Sequence, residues 1–190
     1  SSYALQSTTV LTSTANNLTT GNTYPFGVAA MTNNRFVAGW YDNSNGPVAR
    51  VFNSDATVYS SLVAPMGTSE VGTAVAGTAD GGFVIRYNRN GVTGVGVTWY
   101  KNTSGTTYSS TGNNNYSTGT AQTASYNSQV AVATNGTVLS FFLDTSTTSF
   151  PMIMDRNGNQ TNISGFQPAG VGPFGIYAMC TMPNNNITVL

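Results

Sequence analysis

Residues 79–91, ADGGFVIRYNRNG, contain a polar turn, an apolar run and a second polar turn. Short runs of β-branched and aromatic residues bounded by Gly, Asn and Asp are typical of β-strands joined by tight turns. Similar stretches begin upstream at Thr32 with TNNRFVAGWYDNSNG and downstream at Thr134 with TNGTVLSFFLDTSTT, and a fourth reads PNNNITVL. The pattern predicts a protein built from repeated β-hairpins.

The four stretches recur with a regular spacing. We align them at equivalent positions, namely Phe36, Phe83, Thr137 and Ile187, which gives spacings of 47, 54 and 50 residues. Each of the first three is followed by a second candidate strand, at 47–57, 95–105 and 150–159. A third strand is expected in the first unit at 57–63, TVYSSLV. Units of three or four short antiparallel strands about every fifty residues are typical of propeller blades and related toroids.

We therefore predict an all-β fold, in which short antiparallel sheets repeat with a period near 50 residues and form a four-bladed propeller or a related toroid. The chain, 1–190, is interpreted as a single domain. Its approximate units are 27–71, 72–126, 127–171 and 172–190, the last completed by 1–26. No long window shows sustained helical periodicity.

The first two units also resemble the β-propeller-like repeats of large secreted bacterial surface proteins and adhesins. In the first, VAAMTNNRFVAGWYDNSNGPVARVFNSDAT, the matching positions are Trp40, the DNSNG loop, Val48, Ala49 and Phe52. In the second, VAGTADGGFVIRY, they are Asp80, Gly81, Gly82, Phe83 and Val84, whereas Arg86 and Tyr87 stand where the family has an aromatic residue. The resemblance covers about half of the chain. It implies a fold more than an activity.

The terminal segments are predicted to pair with each other. The fourth unit is short of strands, and the run YALQSTTVLTS at 3–13 alternates so that one face could be buried. The residues expected to take part are Tyr3, Leu5, Val10, Ile187 and Val189. Pairing within one chain would close a ring and remove exposed edges. Pairing between chains would build a fibre by strand addition. The sequence leaves both possibilities open.

The charge content restricts the partners. Charged residues make up 6% of the chain, against about 25% in typical soluble domains. Six basic residues balance six acidic ones. Without a basic face, binding to nucleic-acid phosphates is not expected, and no apolar run is long enough to span a bilayer. A net charge of zero also removes the repulsion that opposes self-association. The Asn, Thr and Ser content suggests an extracellular or cell-surface protein.

The inventory of reactive side chains argues against an enzyme. The sequence has no histidine and a single cysteine, Cys180, so triads, zinc sites and thiolate clusters are not expected. We predict no catalytic residues, no metal and no cofactor, and we interpret Cys180 as a buried thiol. Five aspartates fall in predicted turns, where Asp bonds to the backbone: Asp42, Asp55, Asp80, Asp144 and Asp155. The loops 42–46 and 155–159 are interpreted as hairpin loops rather than calcium sites.

Two aromatic pairs are the candidate ligand-binding residues. Consecutive residues on a strand face opposite sides, so one member of each pair is expected to be exposed. An exposed ring beside Asn or Asp could stack on a sugar. The candidates are Trp40, Tyr41, Asp42, Trp99 and Tyr100.

The sequence thus predicts an extracellular structural or adhesive protein that associates with copies of itself in a filament or a surface layer. The alternative is a carbohydrate-binding propeller module with glycan partners. A glycoside hydrolase, which needs two suitably spaced carboxylates, comes third.

Overall fold

The computed structural model describes residues 26–42, 44–65, 70–89, 94–116, 129–143, 149–162, 179–181 and 187–189. These residues form thirteen strands and no helix. All strand pairs are antiparallel. The prediction of an all-β fold is confirmed.

The strands form four sheets in which neighbours in space are also neighbours in sequence. Sheet 1 contains β1 (Gly27–Met31), β2 (Arg35–Asp42) and β3 (Gly46–Asn53). Sheet 2 contains β4 (Glu70–Gly77), β5 (Phe83–Arg89), β6 (Val95–Ser104) and β7 (Thr107–Tyr116). Sheet 3 contains β8 (Gln129–Val132), β9 (Val138–Leu143), β10 (Ser149–Met154) and β11 (Gln160–Asn162). Sheet 4 contains β12 (Met179–Thr181) and β13 (Ile187–Val189).

The predicted strand at 57–63 runs irregularly beside β3. It makes two isolated bridges, Phe52 with Val58 and Ala49 with Val63. Ala49 and Val63 exchange both backbone hydrogen bonds, each 2.9 Å long. Sheet 1 therefore has the beginning of a fourth strand at the position that β7 occupies in sheet 2.

One type of tight turn recurs in the repeats. After β4, the amide of Gly81 donates to Thr78 O over 3.1 Å. After β8, the amide of Gly136 donates to Ala133 O over 2.8 Å. Gly81 and Gly136 have φ values of 82° and 83°, in the left-handed region that glycine adopts without steric cost. The glycines of the sequence repeat are thus required by the hairpin that joins the first two strands of a sheet.

The turn geometry corrects the alignment made from the sequence. Because Gly136 is equivalent to Gly81, Thr137 is equivalent to Gly82, and Val138 rather than Thr137 is equivalent to Phe83. The prediction was wrong by one residue, which matters because a shift of one residue exchanges the two faces of a strand. The equivalent cross-strand pairs of the four hairpins agree with this alignment: Ala30 with Phe36, Gly77 with Phe83, Val132 with Val138 and Thr181 with Ile187. In sheet 1 the hairpin has one further pair, Met31 with Arg35.

The first strands of successive sheets lie next to each other. Strand β1 contacts β4, β4 contacts β8, and β8 contacts β12. Each sheet therefore follows the previous one in the order of the chain, as blades do around an axis. The described residues do not form a closed ring, so the four-bladed propeller stays a prediction.

The core consists of layers between these sheets. One cluster lies between sheets 1 and 2 and contains Val37, Ala49, Val51, Val75, Phe83, Ile85, Tyr87, Tyr100 and Tyr108. A second lies between sheets 2 and 3 and contains Ala74, Ala76, Val84, Val95, Val97, Trp99, Tyr116, Val130, Val132, Val138, Met152 and Met154. A third, on the opposite face of sheet 1, contains Ala38, Trp40, Val48 and Phe52. The middle of sheet 2, β5 and the first part of β6, is consequently buried on both faces.

Candidate functional site

The aspartates predicted to lie in turns accept hydrogen bonds from their own turns. Asp42 Oδ1 accepts from the amides of Ser44 and Asn45, over 2.9 and 3.0 Å. Asp155 Oδ1 accepts from the amides of Asn157 and Asn159, over 2.9 and 3.0 Å. These carboxylate oxygens therefore serve the backbone of the two loops that have calcium-like spacing. Asp144 lies outside the described residues.

The remaining described turn carboxylates are held in the ionised form. The hydroxyl of Thr57 donates to Asp55 and lowers the pKa of that carboxyl. The hydroxyl of Thr78 lowers the pKa of Asp80, against the opposing effect of partial burial. A general acid of a glycosidase needs a raised pKa instead. These two side chains have the electrostatics of turn residues, not of catalytic acids.

In the described part of the chain, no three His, Cys, Asp or Glu side chains come close enough to hold a metal ion. Nor does any helix there have the length and apolar character to cross a membrane.

A buried arginine joins sheets 2 and 3. Arg86 on β5 is fully buried, and its Nε donates to Ser140 Oγ on β9 over 3.1 Å. Ser140 Oγ in turn donates to Gln129 O over 3.0 Å. Burial lowers the pKa of the Arg86 guanidinium to about 9. The arrangement fixes one sheet against the next, because a buried charged donor must keep its acceptors. Its position in the sequence repeat did not reveal this role.

The aromatic candidates are more buried than the sequence suggested. Trp99 is 0% and Tyr100 is 5% exposed, so the expectation that one of them is exposed is wrong. Both faces of β6 are covered, because sheet 2 packs against sheet 1 on one side and sheet 3 on the other. Trp99 Nε1 donates to Gly136 O over 3.3 Å, and Tyr100 stacks on Phe83 with ring centroids 5.1 Å apart.

The other aromatic pair, Trp40 and Tyr41, is closer to the expectation that one member is exposed. Trp40 is buried, Asp42 is buried, and Tyr41 between them is half-buried. Of the five predicted ligand-binding residues, Tyr41 alone keeps a partly exposed side chain. Ligand binding at these residues stays a prediction.

The predicted strand-pairing residues fall into two groups. Tyr3, Leu5 and Val10 lie outside the described residues. Ile187 and Val189 belong to β13, which pairs with β12 through Ile187–Thr181 and Val189–Met179. Among the described strands, β13 has a neighbour on one side only, whereas the second strands of sheets 2 and 3 have neighbours on both sides.

Sequence reasoning missed an apolar row on β1. Phe26 is 50% and Val28 is 56% exposed, and Ala30 is exposed as well. When the sheets are aligned by their hairpin pairs, Val75 and Val130 are equivalent to Val28. Val75 is 7% exposed and Val130 is 6% exposed. The same repeat position is thus buried in sheets 2 and 3 and open in sheet 1. A correct repeat alignment identifies the position, but its exposure depends on which sheet lies beside it.

The same face of sheet 1 carries two buried donors. Neither Trp40 Nε1 nor Arg50 Nε has a hydrogen-bond partner within the described residues. Arg50 pairs with Ala38 across β2 and β3, and Ala38 and Trp40 belong to the third core cluster. We call the face formed by Phe26, Val28, Ala30, Ala38, Trp40 and Arg50 the leading face of sheet 1.

Comparison with known protein families and with curated proteins finds no match for this chain. Among solved structures, the chain is similar to a protein of unknown function from Bacteroides caccae. The TM-score is 0.52 and the sequences are 13% identical over 86% of this chain. The match covers 51% of the other protein, so this chain spans about half of that protein's length. At this identity, the similarity shows a shared fold alone.

Proposed function

We propose that this chain is an extracellular structural or adhesive protein that assembles with copies of itself into a filament or a surface layer. The observation that carries the proposal is that the first and the last of the described sheets each leave a surface uncovered by other described residues. Sheet 1 begins with an apolar row that is half exposed, and sheet 4 has an open edge at β13 within the described residues. A further molecule can continue the series at either end.

Strand addition is the proposed means of assembly. Residues 3–13 of one copy pair with β13 of another and so give sheet 4 a third strand. Sheets 2 and 3 obtain their third strand from their own chain. In such pairing the main-chain hydrogen bonds give affinity, and alternate side chains give specificity. Because the donating and accepting surfaces differ, the contact runs head to tail. A head-to-tail contact that does not close on itself produces a filament.

The charge and surface of the chain support this proposal. The net charge is zero, so copies do not repel one another. The four described aspartates accept hydrogen bonds from their own turns, and the aromatic residues of sheet 2 are buried. A repeat of β-sheets with these properties is better suited to a structural than to a catalytic role.

Electron microscopy and light scattering of the native protein test the proposal. We expect ordered filaments or sheets that dissociate when residues 1–13 are deleted. Leu5→Asp should have the same effect, because it places a charge on the apolar side of the predicted strand. The matched control, Gln6→Asp, adds the same charge to the opposite side and should leave assembly intact.

A compact monomer at every concentration would contradict self-assembly. The terminal segment would then complete sheet 4 of its own chain and close the predicted four-bladed toroid. The carbohydrate-binding alternative would become the first hypothesis, and titration with glycans, followed by Trp fluorescence, would test it at Tyr41.

A further inference from the structure

The contact between sheets 1 and 2 shows how one sheet of this protein docks on the next. Gly27 and Gly39 are cross-strand partners, and Val75 of β4 lies directly over them. A Cβ added to Gly39 would lie 2.4 Å from Val75 Cγ1, and one added to Gly27 would lie 3.4 Å from Val75 Cγ2. The side chain at this repeat position therefore fills a shallow slot on the preceding sheet.

Within the described residues, no sheet precedes sheet 1 and covers the equivalent position. Val28 is 56% exposed, although sheet 4 of the same chain is in contact with sheet 3 through β12 and β8. The fourth sheet thus leaves the leading face of sheet 1 open along β1. Val75 and Val130, at the same position, are buried.

The rest of the leading face is already buried within the molecule. Ala38 is 1% and Trp40 is 7% exposed, and Trp40 Nε1 and Arg50 Nε are buried without a partner in the described residues. A docking molecule would therefore cover the half-exposed row on β1, not these donors.

We infer that the leading face of sheet 1 docks on sheet 4 of a second copy of this chain. Val28 of one molecule then packs against the β12–β13 hairpin of the second copy, in the same way that Val75 packs against β1 and β2. The inference rests on the proposed function and specifies its interface. The contact continues the one already present between sheets 1 and 2, and no net charge opposes it.

The register of the repeats predicts which residues meet. Val75 lies beside Gly27, and Gly77 approaches the carbonyl of Ala30, so β1 and β4 run side by side with equivalent positions adjacent. Cys180 is equivalent to Ala29 by the pairing of β12 with β13. Cys180 of one copy is therefore expected next to positions 28 and 30 of the following copy.

Crosslinking at the single native cysteine tests this contact. The full-length Val28→Cys variant, treated with a short bis-maleimide, should give a ladder of covalent dimers and larger species. The ladder should disappear in the Val28→Cys, Cys180→Ser double variant. Val58→Cys is the matched control, because Val58 is 50% exposed and lies on the opposite edge of sheet 1 from β1. Ala30→Cys repeats the test at the neighbouring predicted contact.

The outcomes separate this inference from the proposed function. Filaments that form normally, without a ladder from either variant, would overturn the inference and leave self-assembly intact. A link between residues 28 and 180 inside one chain would also overturn it, because sheet 4 would then cover sheet 1 of its own molecule. A monomer that forms no crosslink would contradict both the inference and self-assembly.

Discussion

At the scale of single residues, glycine makes room for large neighbours, between two sheets at Gly39 and between two strands of one sheet at Gly96. Gly39 leaves room for the methyl groups of Val75, and a Cβ added to Gly96 would lie 2.1 Å from Cζ of Tyr87. Glycine in a strand lowers its intrinsic stability. In this chain the cost is offset by the burial of a large neighbour over the bare backbone. These glycines are packing residues, in contrast to Gly81 and Gly136, which are required by turn conformation.

Gly39→Ala is expected to lower the free energy of unfolding by about 1–3 kcal/mol, the usual effect of overfilling a packed core. The added methyl would clash with Val75 Cγ1 at 2.4 Å. Gly112→Ala is the control, because its Cβ would meet its nearest atom, Trp99 Cε3, at an ordinary 3.7 Å. That change should stay within about 0.5 kcal/mol. Urea unfolding measures both.

A second variant checks the cause of that effect. Val75→Ala removes the clashing methyl groups and leaves a small cavity. Combined with Gly39→Ala, it should be less destabilising than the sum of the two single changes, because the residues are in direct contact. Strict additivity would show that Gly39 has another role, such as a backbone conformation that alanine does not adopt.

At the scale of elements, hydrogen bonds join the 155–159 turn of sheet 3 to β7, the outer strand of sheet 2. The hydroxyl of Tyr116 donates to Asp155 O, and Asn114 Nδ2 donates to Arg156 O over 2.9 Å. Partial burial raises the pKa of Tyr116 to about 12, so its hydroxyl keeps the proton at neutral pH. Arg156 Nη2 also lies 3.7 Å from Asp80 Oδ2 in sheet 2. Polar contacts thus supplement the apolar layer between sheets 2 and 3.

Tyr116→Phe should lower the free energy of unfolding by about 1 kcal/mol, because it removes one hydrogen bond and leaves Asp155 O without this donor. Tyr108→Phe is the matched control. Tyr108 is also buried on β7, and its hydroxyl makes no hydrogen bond within the described residues. That change should stay within about 0.5 kcal/mol. Equal losses in the two variants would show that the contact between Tyr116 and the 155–159 turn contributes nothing to stability.

Most of the hairpins could be predicted from the sequence, because local turn chemistry determines them. The Gly81 turn and the strand that starts at Phe83 are examples. The alignment at Thr137 was wrong by one residue. The units differ in length, so the spacing between them does not fix the alignment, whereas the hydrogen bonds of the turns do. The burial of Trp99 and Tyr100 was missed for a different reason. Alternation predicts which face a residue takes, but not how many faces of the sheet are covered.

The candidate site was harder to predict than the fold. Ile187 and Val189 were predicted to take part in pairing of the terminal segments. The structure places both on β13, and that pairing stays a prediction. The apolar row of β1 was not identified. Val28 and Val75 look alike in the sequence, and their exposures of 56% and 7% differ only because of the sheets beside them. Exposure of this kind is a property of the order of sheets, which depends on contacts distant in sequence.

At the scale of the whole molecule, the proposed assembly depends on apolar and main-chain contacts rather than on ion pairs. The chain carries only six basic and six acidic residues, and the four described aspartates accept hydrogen bonds from their own turns. The exposed row at Phe26, Val28 and Ala30 is uncharged. Salt should consequently have little to screen at the interface.

Raising NaCl from about 0.05 to 0.5 M should therefore leave the apparent dissociation constant of assembly within about twofold, as light scattering would measure it. Ammonium sulfate should strengthen assembly, because sulfate is excluded from protein surfaces and favours apolar burial. Val28→Ser should weaken assembly at every salt concentration, whereas Val58→Ser, a change of the same size on another edge, should not. If NaCl raised the apparent dissociation constant about tenfold or more, charged contacts would hold the copies together. An uncharged row on β1 cannot explain that result.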